Sequence, residues 1–546
     1  MEPTAVEGTG EHRLVYFGAE VTRRVRELFV PLLVVIALAA AALPLVATQK
    51  YGVGATPDSV AYLFAARGLR TGSLHTYYGG QYITWPPGYP ALLAAIPGNP
   101  LVTARYLDAF CLAALAVLVG IWMKEATGRL LGLAAAALVA TSIPLLDVHL
   151  FLWSEPLFIL LTTASLFCLA RHRVRPGTRV LLVAALLAGL AGLTRYSGIA
   201  LVAIGVMLLL VDATGSLRSR LRAALLFAAI GAGPLAVWLM RNWVISRTLT
   251  GRHPAHQPLS AHLYGAWYGV RGWNTLHIPI ATVERALGAS TAHTKELTYV
   301  QYPAQSVLTV AIVFLLAWFA WRRRGTFFAR TTLADSSFWM TTVFALGYVA
   351  LLVYTAATST LDLLGNRLLS PVYPSLLIAF LIAAHHAWHE WRLRHSQPGL
   401  GTWLLLVAAV GVACLTLPYR VFEVYSDLSG QALHGAGGYT VDSWMRSATL
   451  AHARNWGPGV VYSNAPDLIY LRTGRIAGYF QRRDQGMDAF IRRTQATPIV
   501  LVQFNRWYRM PALYTFDELA RHLPNLVSTR YSDGIVARSG PRTSGN

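Results

Sequence analysis

Apolar runs of about 20 residues, the length that crosses about 30 Å of hydrocarbon as an α-helix, recur along most of this sequence. No other feature constrains the fold as strongly. Only 13% of the 546 residues are charged, against about 25% in a typical soluble protein. The sequence therefore predicts a polytopic α-helical membrane protein.

The runs predict about 11 transmembrane helices. The first follows a charged tail, residues 1–28, that is too long for the amino-terminal region of a signal peptide, so it is expected to stay uncleaved. The predicted spans are 29–49, 101–123, 129–146, 154–171, 179–194, 198–212, 222–243, 303–321, 337–356, 369–388 and 402–418.

The loops alternate in charge along the chain. One set is short and rich in arginine, and the positive-inside rule places it in the cytoplasm. The other set is longer and rich in Trp, Tyr, Pro and Gly, and it includes outer loops 50–100 and 244–302. This asymmetry predicts a multi-pass protein of the cytoplasmic (inner) membrane, with its amino terminus inside and its carboxyl terminus outside.

Residues 419–546 change in character. Short apolar runs at 458–464, 498–504 and 533–539 resemble strands, and segments 465–474, 487–495 and 516–523 resemble helices. Such alternation predicts a small extracytoplasmic α/β domain. The transmembrane module would then span 29–418.

Two classes of function are disfavoured. The net charge of +21 comes mostly from arginines between the spans, which fits a membrane protein better than a nucleic-acid partner. The outer loops lie where no nucleotide pool exists, and the chain carries neither a P-loop nor a dinucleotide-binding glycine motif before a helix. Chemistry on the outer face would need a donor delivered through the membrane.

The segment 56–59, Thr-Pro-Asp-Ser, is typical of a helix start, with Thr56 as N-cap and Pro57 in the first helical position. The helix dipole favours a negative charge at Asp58, and an ionised carboxylate can act as a general base. The alternative is that Asp58 only stabilises the helix end. Apolar residues on one face predict that this helix lies at the membrane surface: Val60, Leu63, Phe64 and Leu69.

Aromatic residues surround a rigid Pro-Pro-Gly turn in the same loop. Trp85, Tyr89 and Tyr82, together with Tyr77 and Tyr78, suit either a belt at headgroup level or the stacking surface of a sugar pocket.

Acidic residues are costly at the edge of a span and usually functional. Glu155 opens the fourth span and is predicted to contribute to a sugar or metal pocket, with Asp147 as a weaker candidate. The alternative for Glu155 is a first-turn acid favoured by the helix dipole.

Three arginines at outer span ends oppose the positive-inside trend. Arg195, Arg241 and Arg367 could together bind a phosphate through forked, charge-assisted hydrogen bonds. Each could instead extend its guanidinium to lipid headgroups. The histidines of the second outer loop, His253, His256, His262 and His277, match no strong metal motif.

The segments 58–72, 85–94, 154–161, 192–201, 238–243 and 366–378 together resemble the GT-C superfamily of integral-membrane glycosyltransferases. The nearest branches are those of bacterial aminoarabinose transferases and protein O-mannosyltransferases. The resemblance covers about 29–390 in order. It implies a polyprenyl-phosphate sugar as donor and a lipid, polysaccharide or protein as acceptor, with no nucleic acid.

The resemblance also implies roles for individual residues. Asp58 matches the catalytic acid of the first outer loop, while Ser59 stands where the family often has a second acid. Glu155, Arg195 and Arg367 match positions typical of the family. No cofactor is certain, and a divalent cation would have Asp58 and Glu155 as its ligands. The rival functions are an O-antigen ligase or polymerase using a diphosphate-linked glycan, and a transporter.

Overall fold

The structure is a computed structural model that describes residues 9–76, 80–212, 215–252, 254, 258–273, 291–328, 332–394, 421–505, 512–523 and 526–539. Fifteen helices precede residue 395 in this part of the chain. They are α1 (Thr9–Ala47), α2 (Pro57–Arg70), α3 (Gly88–Ala95), α4 (Pro100–Ala126), α5 (Arg129–Ala140), α6 (Ile143–His149), α7 (Glu155–Val174), α8 (Thr178–Thr194), α9 (Ile199–Val211), α10 (Leu217–Ser246), α11 (Leu259–Arg271), α12 (Thr291–Arg322), α13 (Leu333–Thr358), α14 (Asn366–Leu369) and α15 (Tyr373–Arg394).

The described residues include seven helices long and apolar enough to cross a membrane, or eight if α5 and α6 count as one span bent by 51°. Helices α8 and α9 are apolar but shorter. Each of the first ten predicted spans coincides with one of these helices or the bent pair. The eleventh, 402–418, lies outside the described residues, so the count of eleven stays a prediction.

The bend between α5 and α6 has a local cause. Ser142 precedes α6 with extended backbone, and Pro144 occupies its first turn. Proline lacks the N–H that would continue the helical hydrogen bonds. The run 129–146, read from sequence as one span, is therefore two helices, and α6 leads directly into the segment before Glu155.

One large apolar core lies between the membrane helices, and its buried residues come mainly from α1, α4–α10 and α12–α15, with Val424 and Leu428 from the helical segment 421–434. Close approach at one point depends on a glycine. A Cβ on Gly88, at the start of α3, would lie 2.7 Å from the backbone oxygen of Leu193. This contact holds α3 against the end of α8, immediately before Arg195.

Helix α2 begins as the sequence predicts, with Thr56 at the N-cap, Pro57 in the first turn and reciprocal hydrogen bonding between Thr56 and Ser59. Its apolar side chains, however, pack against protein on two sides. Val60 joins the core of the carboxyl-terminal domain, and Leu63 packs with residues of α3 and α4. The helix is thus an internal element between the membrane module and the domain.

The carboxyl-terminal domain contains a sheet of five strands in the order β2-β1-β3-β5-β4. The strands are β1 (Val460–Ser463), β2 (Ala477–Tyr479), β3 (Ile499–Phe504), β4 (Leu526–Tyr531) and β5 (Gly534–Ser539). The first three strands pair in parallel, with Val461 opposite both Ala477 and Val500, and β5 pairs antiparallel with β3 and β4.

The α/β character predicted for this domain is confirmed. Strands β1, β3 and β5 occupy the predicted segments, and helices Pro466–Thr473, Met487–Ala496 and Phe516–Arg521 match the predicted ones. Strands β2 and β4 are additional. Residues 421–434, the first described residues of the predicted 419–546 domain, are helical and precede its sheet.

Candidate active site

Asp58 lies in the first turn of α2, where the chain leaves the membrane helices, and its side chain is 26% exposed. Ser59, the next residue, is fully buried and its hydroxyl accepts a hydrogen bond from the Thr56 backbone N–H over 3.0 Å. Ser59 therefore stabilises the helix start and does not stand in for a second acid at the site.

Glu155 begins α7 and is fully buried. Its Oε1 atom lies 2.6 Å from Arg195 Nη1 and 2.7 Å from Arg367 Nε. A buried carboxylate is tolerated only with such partners. Glu155 thus holds two guanidiniums side by side, and its role as a sugar or metal ligand stays a prediction.

Arg367 connects the two acids. Its Nη2 atom donates to Asp58 Oδ2 over 2.5 Å while its Nε donates to Glu155. The residue lies on the short helix α14, just before the 3-10 turn Ser370–Val372 that leads into α15. Residues 58, 155, 195 and 367, predicted separately along the chain, therefore form one continuous ionic cluster.

Arg195 lies at the junction of α8 and the 3-10 turn Tyr196–Gly198, and 15% of its side chain is exposed. Its Nη1 also donates to Ser154 Oγ over 3.2 Å, and Ser154 Oγ lies 3.1 Å from the hydroxyl of Tyr62. Burial, followed by the charges of Asp58 and Glu155, raises the pKa of Tyr62. The hydroxyl therefore stays protonated beside the cluster.

Two residues at the site carry no sequence signal of their own. The Arg367 guanidinium lies 4.2 Å from the centre of the Trp153 ring, and the Trp153 indole N–H donates to Thr56 Oγ1 over 2.9 Å.

The second of these residues is Arg252, which follows the Thr-Gly pair of the second outer loop. Burial and then the nearby Arg195 lower the pKa of Arg252, whereas Asp58 and Asp362 act to raise it. Its Nη1 donates to the Thr360 carbonyl over 3.0 Å, in the segment that precedes Arg367.

Arg241 is placed differently from the other two predicted phosphate ligands. Its Nη1 donates to the Tyr82 carbonyl over 3.1 Å and to Asn242 Oδ1, and its guanidinium stacks 4.4 Å from the Trp238 ring. These contacts fix the first outer loop against α10. The structure does not bring Arg241 to Glu155 or Asp58.

Asp147 reaches the cluster indirectly. Its Oδ2 accepts from Asn366 Nδ2 over 2.9 Å, and Asn366 Oδ1 accepts from Trp273 Nε1 over 2.9 Å. Since Asn366 directly precedes Arg367, Asp147 anchors the helix that carries Arg367.

Most of the aromatic residues predicted to line a sugar pocket are buried in the protein beside the cluster. Tyr82 and Tyr89 are fully buried, so neither ring is exposed for stacking on a sugar in this structure. Tyr89 and Trp85 pack around Tyr62, with ring centres 5.1 Å and 5.9 Å from it, and Tyr82 packs against Trp85 at 5.9 Å. Only Trp85 is partly exposed. Tyr77 and Tyr78 lie outside the described residues.

A divalent cation at the cluster stays a prediction. Within the described ranges, no group of three or more His, Cys, Asp or Glu side chains is placed to hold one. Asp58 and Glu155 both bind Arg367, so a cation between them would have to displace a guanidinium. Of the second-loop histidines, His262 is buried in α11, and His253, His256 and His277 lie outside the described residues.

No family model matches the chain, and no curated protein is similar to it in sequence. Solved structures do match. ArnT from Cupriavidus metallidurans bound to undecaprenyl phosphate superimposes with a TM-score of 0.57 at 13% identity, over 94% of this chain and 99% of that one. The archaeal oligosaccharyltransferase AglB from Archaeoglobus fulgidus, in complex with an inhibitory peptide and a dolichol-phosphate, gives 0.52 at 13% identity, over 88% and 69%.

The chain has the GT-C fold. The resemblance predicted from the outer-loop motifs is thereby confirmed for the architecture, and the match to ArnT extends over nearly the whole length of both chains. At this identity the likeness concerns the fold, and the chemistry has to be argued from the site.

Proposed function

We propose that this protein transfers a sugar from a polyprenyl-phosphate donor to an acceptor hydroxyl, with inversion, on the outer face of the cytoplasmic membrane. The observation that carries the proposal is the contact of Asp58 with Arg367, and of Arg367 and Arg195 with Glu155, where α2, α7 and α8 meet. A carboxylate for the acceptor and guanidiniums for the phosphate lie in one place.

The guanidiniums suit the phosphodiester of such a donor, which becomes a phosphate monoester when the sugar is transferred. Arg195 and Arg367 are opposed by the carboxylates of Asp58 and Glu155, and Asp362 lies 3.8 Å from Arg367, so a phosphate would compete with carboxylates for these guanidiniums. The Nε atom of Arg195 is buried and has no hydrogen-bond partner among the described residues. Arginine forks bind phosphate oxygens in pairs. Charge that develops on the departing phosphate would be stabilised in a partly dry site.

Asp58 is the carboxylate suited to be the base, because Glu155 is fully buried between arginines while Asp58 is partly exposed. A donor phosphate that binds Arg367 would weaken the Arg367–Asp58 contact. Asp58 then accepts the proton of the acceptor hydroxyl as its oxygen bonds to the anomeric carbon. The bond from that carbon to the phosphate oxygen breaks, and polyprenyl phosphate leaves. One displacement at the anomeric carbon inverts its configuration.

The compared structures support a lipid-linked donor. ArnT was solved with undecaprenyl phosphate and AglB with a dolichol-phosphate and a peptide. The loop-charge pattern favours an outer location for Asp58 and for the carboxyl-terminal domain that packs on α2. The acceptor is proposed to be a lipid, polysaccharide or protein.

The rival functions predict other features. A transporter is expected to place charged groups and broken helices near the middle of the bilayer, whereas this cluster lies at helix ends. A ligase or polymerase of the O-antigen type would take a diphosphate-linked glycan. No described feature favours a second phosphate group.

The test is transfer of radiolabelled sugar by the purified full-length protein. Synthetic undecaprenyl-phosphate sugars are offered beside undecaprenyl-diphosphate glycans, with membrane lipids, polysaccharide and protein as acceptors. Labelled product from the monophosphate donor alone supports the proposal. Product from the diphosphate donor alone, or movement of intact lipid between leaflets without transfer, would refute it.

A further inference from the structure

A stack of three groups leads from the carboxyl-terminal domain to Arg367. The Phe151 and Trp153 rings lie parallel, 4.2 Å apart with an interplanar angle of 11°, and the Arg367 guanidinium lies 4.2 Å from the centre of the Trp153 ring. Phe151 in turn contacts the segment 435–438 (Gly-Ala-Gly-Gly), which leads into the domain. We call residues 435–438 the glycine strap.

The strap fits against Phe151 only because it lacks side chains at its contact points. A Cβ on Gly437 would lie 2.5 Å from Phe151 Cζ, and one on Gly438 would collide with the backbone oxygen of Ala55. Both glycines have positive φ angles, 142° and 62°, a region that other residues rarely adopt. Gly438 also bridges Ala55, and the Tyr439 N–H donates to the Ala55 oxygen over 2.8 Å.

Trp153 contacts Arg367 directly and the start of the Asp58 helix through Thr56. Its ring face carries Arg367, while its indole N–H donates to Thr56, two residues before Asp58. A single side chain therefore connects Arg367 with the N-cap of α2, the helix that carries Asp58. Phe151 stacks on the Trp153 ring, and the glycine strap packs against Phe151.

We propose that Trp153 and the glycine strap are positioning elements of the site, through which docking of the carboxyl-terminal domain holds Arg367 ready for a phosphate. The inference rests on the proposed function for its binding readout. It adds to that function a role for the domain: the domain orders the phosphate-binding arginine without touching the phosphate.

The ring is tested by comparing Trp153→Phe and Trp153→Leu in full-length protein in nanodiscs, with undecaprenyl phosphate as the probe. Loss of a cation–π contact is expected to weaken binding by about tenfold in Trp153→Leu, and Trp153→Phe should recover most of the affinity. Trp321→Leu is the matched control, because Arg324 lies over Trp321 at the same 4.2 Å and outside the cluster. Equal affinities for Trp153→Phe and Trp153→Leu would overturn the role of the ring.

The strap is tested by Gly437→Val against Gly430→Ala, since a Cβ at Gly430 meets nothing within 4 Å. Hydrogen exchange of peptides covering 365–370 is measured without any ligand. Gly437→Val should raise exchange in this segment, as should Trp153→Leu, while Gly430→Ala leaves it unchanged. Faster exchange at 435–439 with 365–370 unaffected would show that the strap only attaches the domain, and the inference would fail.

The two readouts separate this inference from the proposed function. If the unmodified protein does not bind undecaprenyl phosphate, the proposed donor is wrong, and the exchange experiment alone decides whether the strap orders Arg367. If the lipid binds but Gly437→Val leaves hydrogen exchange at 365–370 unchanged, the proposed function is supported and the inference about the strap is wrong.

Discussion

Asp58 and Arg367 lie 309 residues apart in the chain, and Arg367 Nη2 donates to Asp58 Oδ2 over 2.5 Å. Arg367 also donates to the buried Glu155, which in turn binds Arg195. In this arrangement the candidate base is paired with a cation that the donor phosphate would need. Binding of the phosphate and release of the base are thus expected to be linked.

Asp58→Asn is expected to remove transfer while leaving donor binding intact. Asparagine keeps the shape of the side chain but cannot take the acceptor's proton, and general base catalysis contributes about 10²- to 10⁴-fold. Affinity for undecaprenyl phosphate should be unchanged or higher, because Arg367 loses a competing anion. Transfer by the variant at near the unmodified rate would show that Asp58 is not the base.

Glu155→Gln is expected to lower stability as well as transfer. Glu155 is fully buried between Arg195 and Arg367, and breaking a buried ion pair on one side costs about 3–5 kcal/mol. Asp58→Asn is the matched control, since Asp58 is partly exposed. Thermal unfolding in detergent should show a lower apparent Tm for the Glu155 variant only. Equal Tm values would mean that Glu155 does not hold the arginines in place.

Much of this site could be predicted because its acids and arginines interrupt apolar runs. Asp58 follows a helix-start signature, and Glu155, Arg195 and Arg367 lie at span ends where charge is costly. Trp153 could not be singled out, since tryptophan at a span end equally suits a headgroup belt. Its role depends on a cation supplied by a residue more than 200 positions away.

The fold, like the site, could be predicted from the sequence only in part. The spans follow from long apolar runs, whereas β4 has mostly exposed residues and β2 has only three residues, so neither leaves an apolar pattern. Tyr89 is buried where α3 packs against α2 and α4, and Tyr82 is buried where the first outer loop packs against α2 and α10. Local sequence does not encode that packing.

Arg195→Ala and Arg241→Ala are expected to differ although both residues are outer-end arginines. Arg195 binds Glu155 and Ser154, whereas Arg241 binds the Tyr82 carbonyl and Asn242. A hydrogen bond to a charged group is worth about 1.5–3 kcal/mol, so Arg195→Ala should raise the KM for donor by about tenfold or more. The KM for acceptor should change much less. Equal losses for donor and acceptor, or a larger donor effect in Arg241→Ala, would contradict the phosphate role.

Tyr82→Phe and Tyr196→Phe form a pair that tests the wall of the site. The Tyr82 hydroxyl is buried without a hydrogen-bond partner among the described residues, so its removal should cost little stability. The Tyr196 hydroxyl donates to the Ile83 oxygen over 2.6 Å and accepts from Trp238 and Asn242. Leaving those groups unpaired should cost about 1–3 kcal/mol. Apparent Tm values measured side by side would check the order, and a larger loss in Tyr82→Phe would contradict the packing described.

Asp533 should make the carboxyl-terminal domain sensitive to acid. Partial burial acts to raise its pKa, but hydrogen bonds from Ser447 and Thr449 outweigh this and hold the pKa of Asp533 below its ordinary value. A lowered pKa contributes stability that is present above the unfolded value and is lost as the pH falls through the folded one. Thermal unfolding of full-length protein, followed by tryptophan fluorescence from about pH 6 to pH 3, should therefore show a smaller acid-induced drop for Asp533→Asn. Asp517→Asn, at an exposed position on Phe516–Arg521, serves as the control and should keep the full drop. Parallel curves for the Asp533 variant and the unmodified protein would mean that this carboxylate does not link Ser447 and Thr449 to β5.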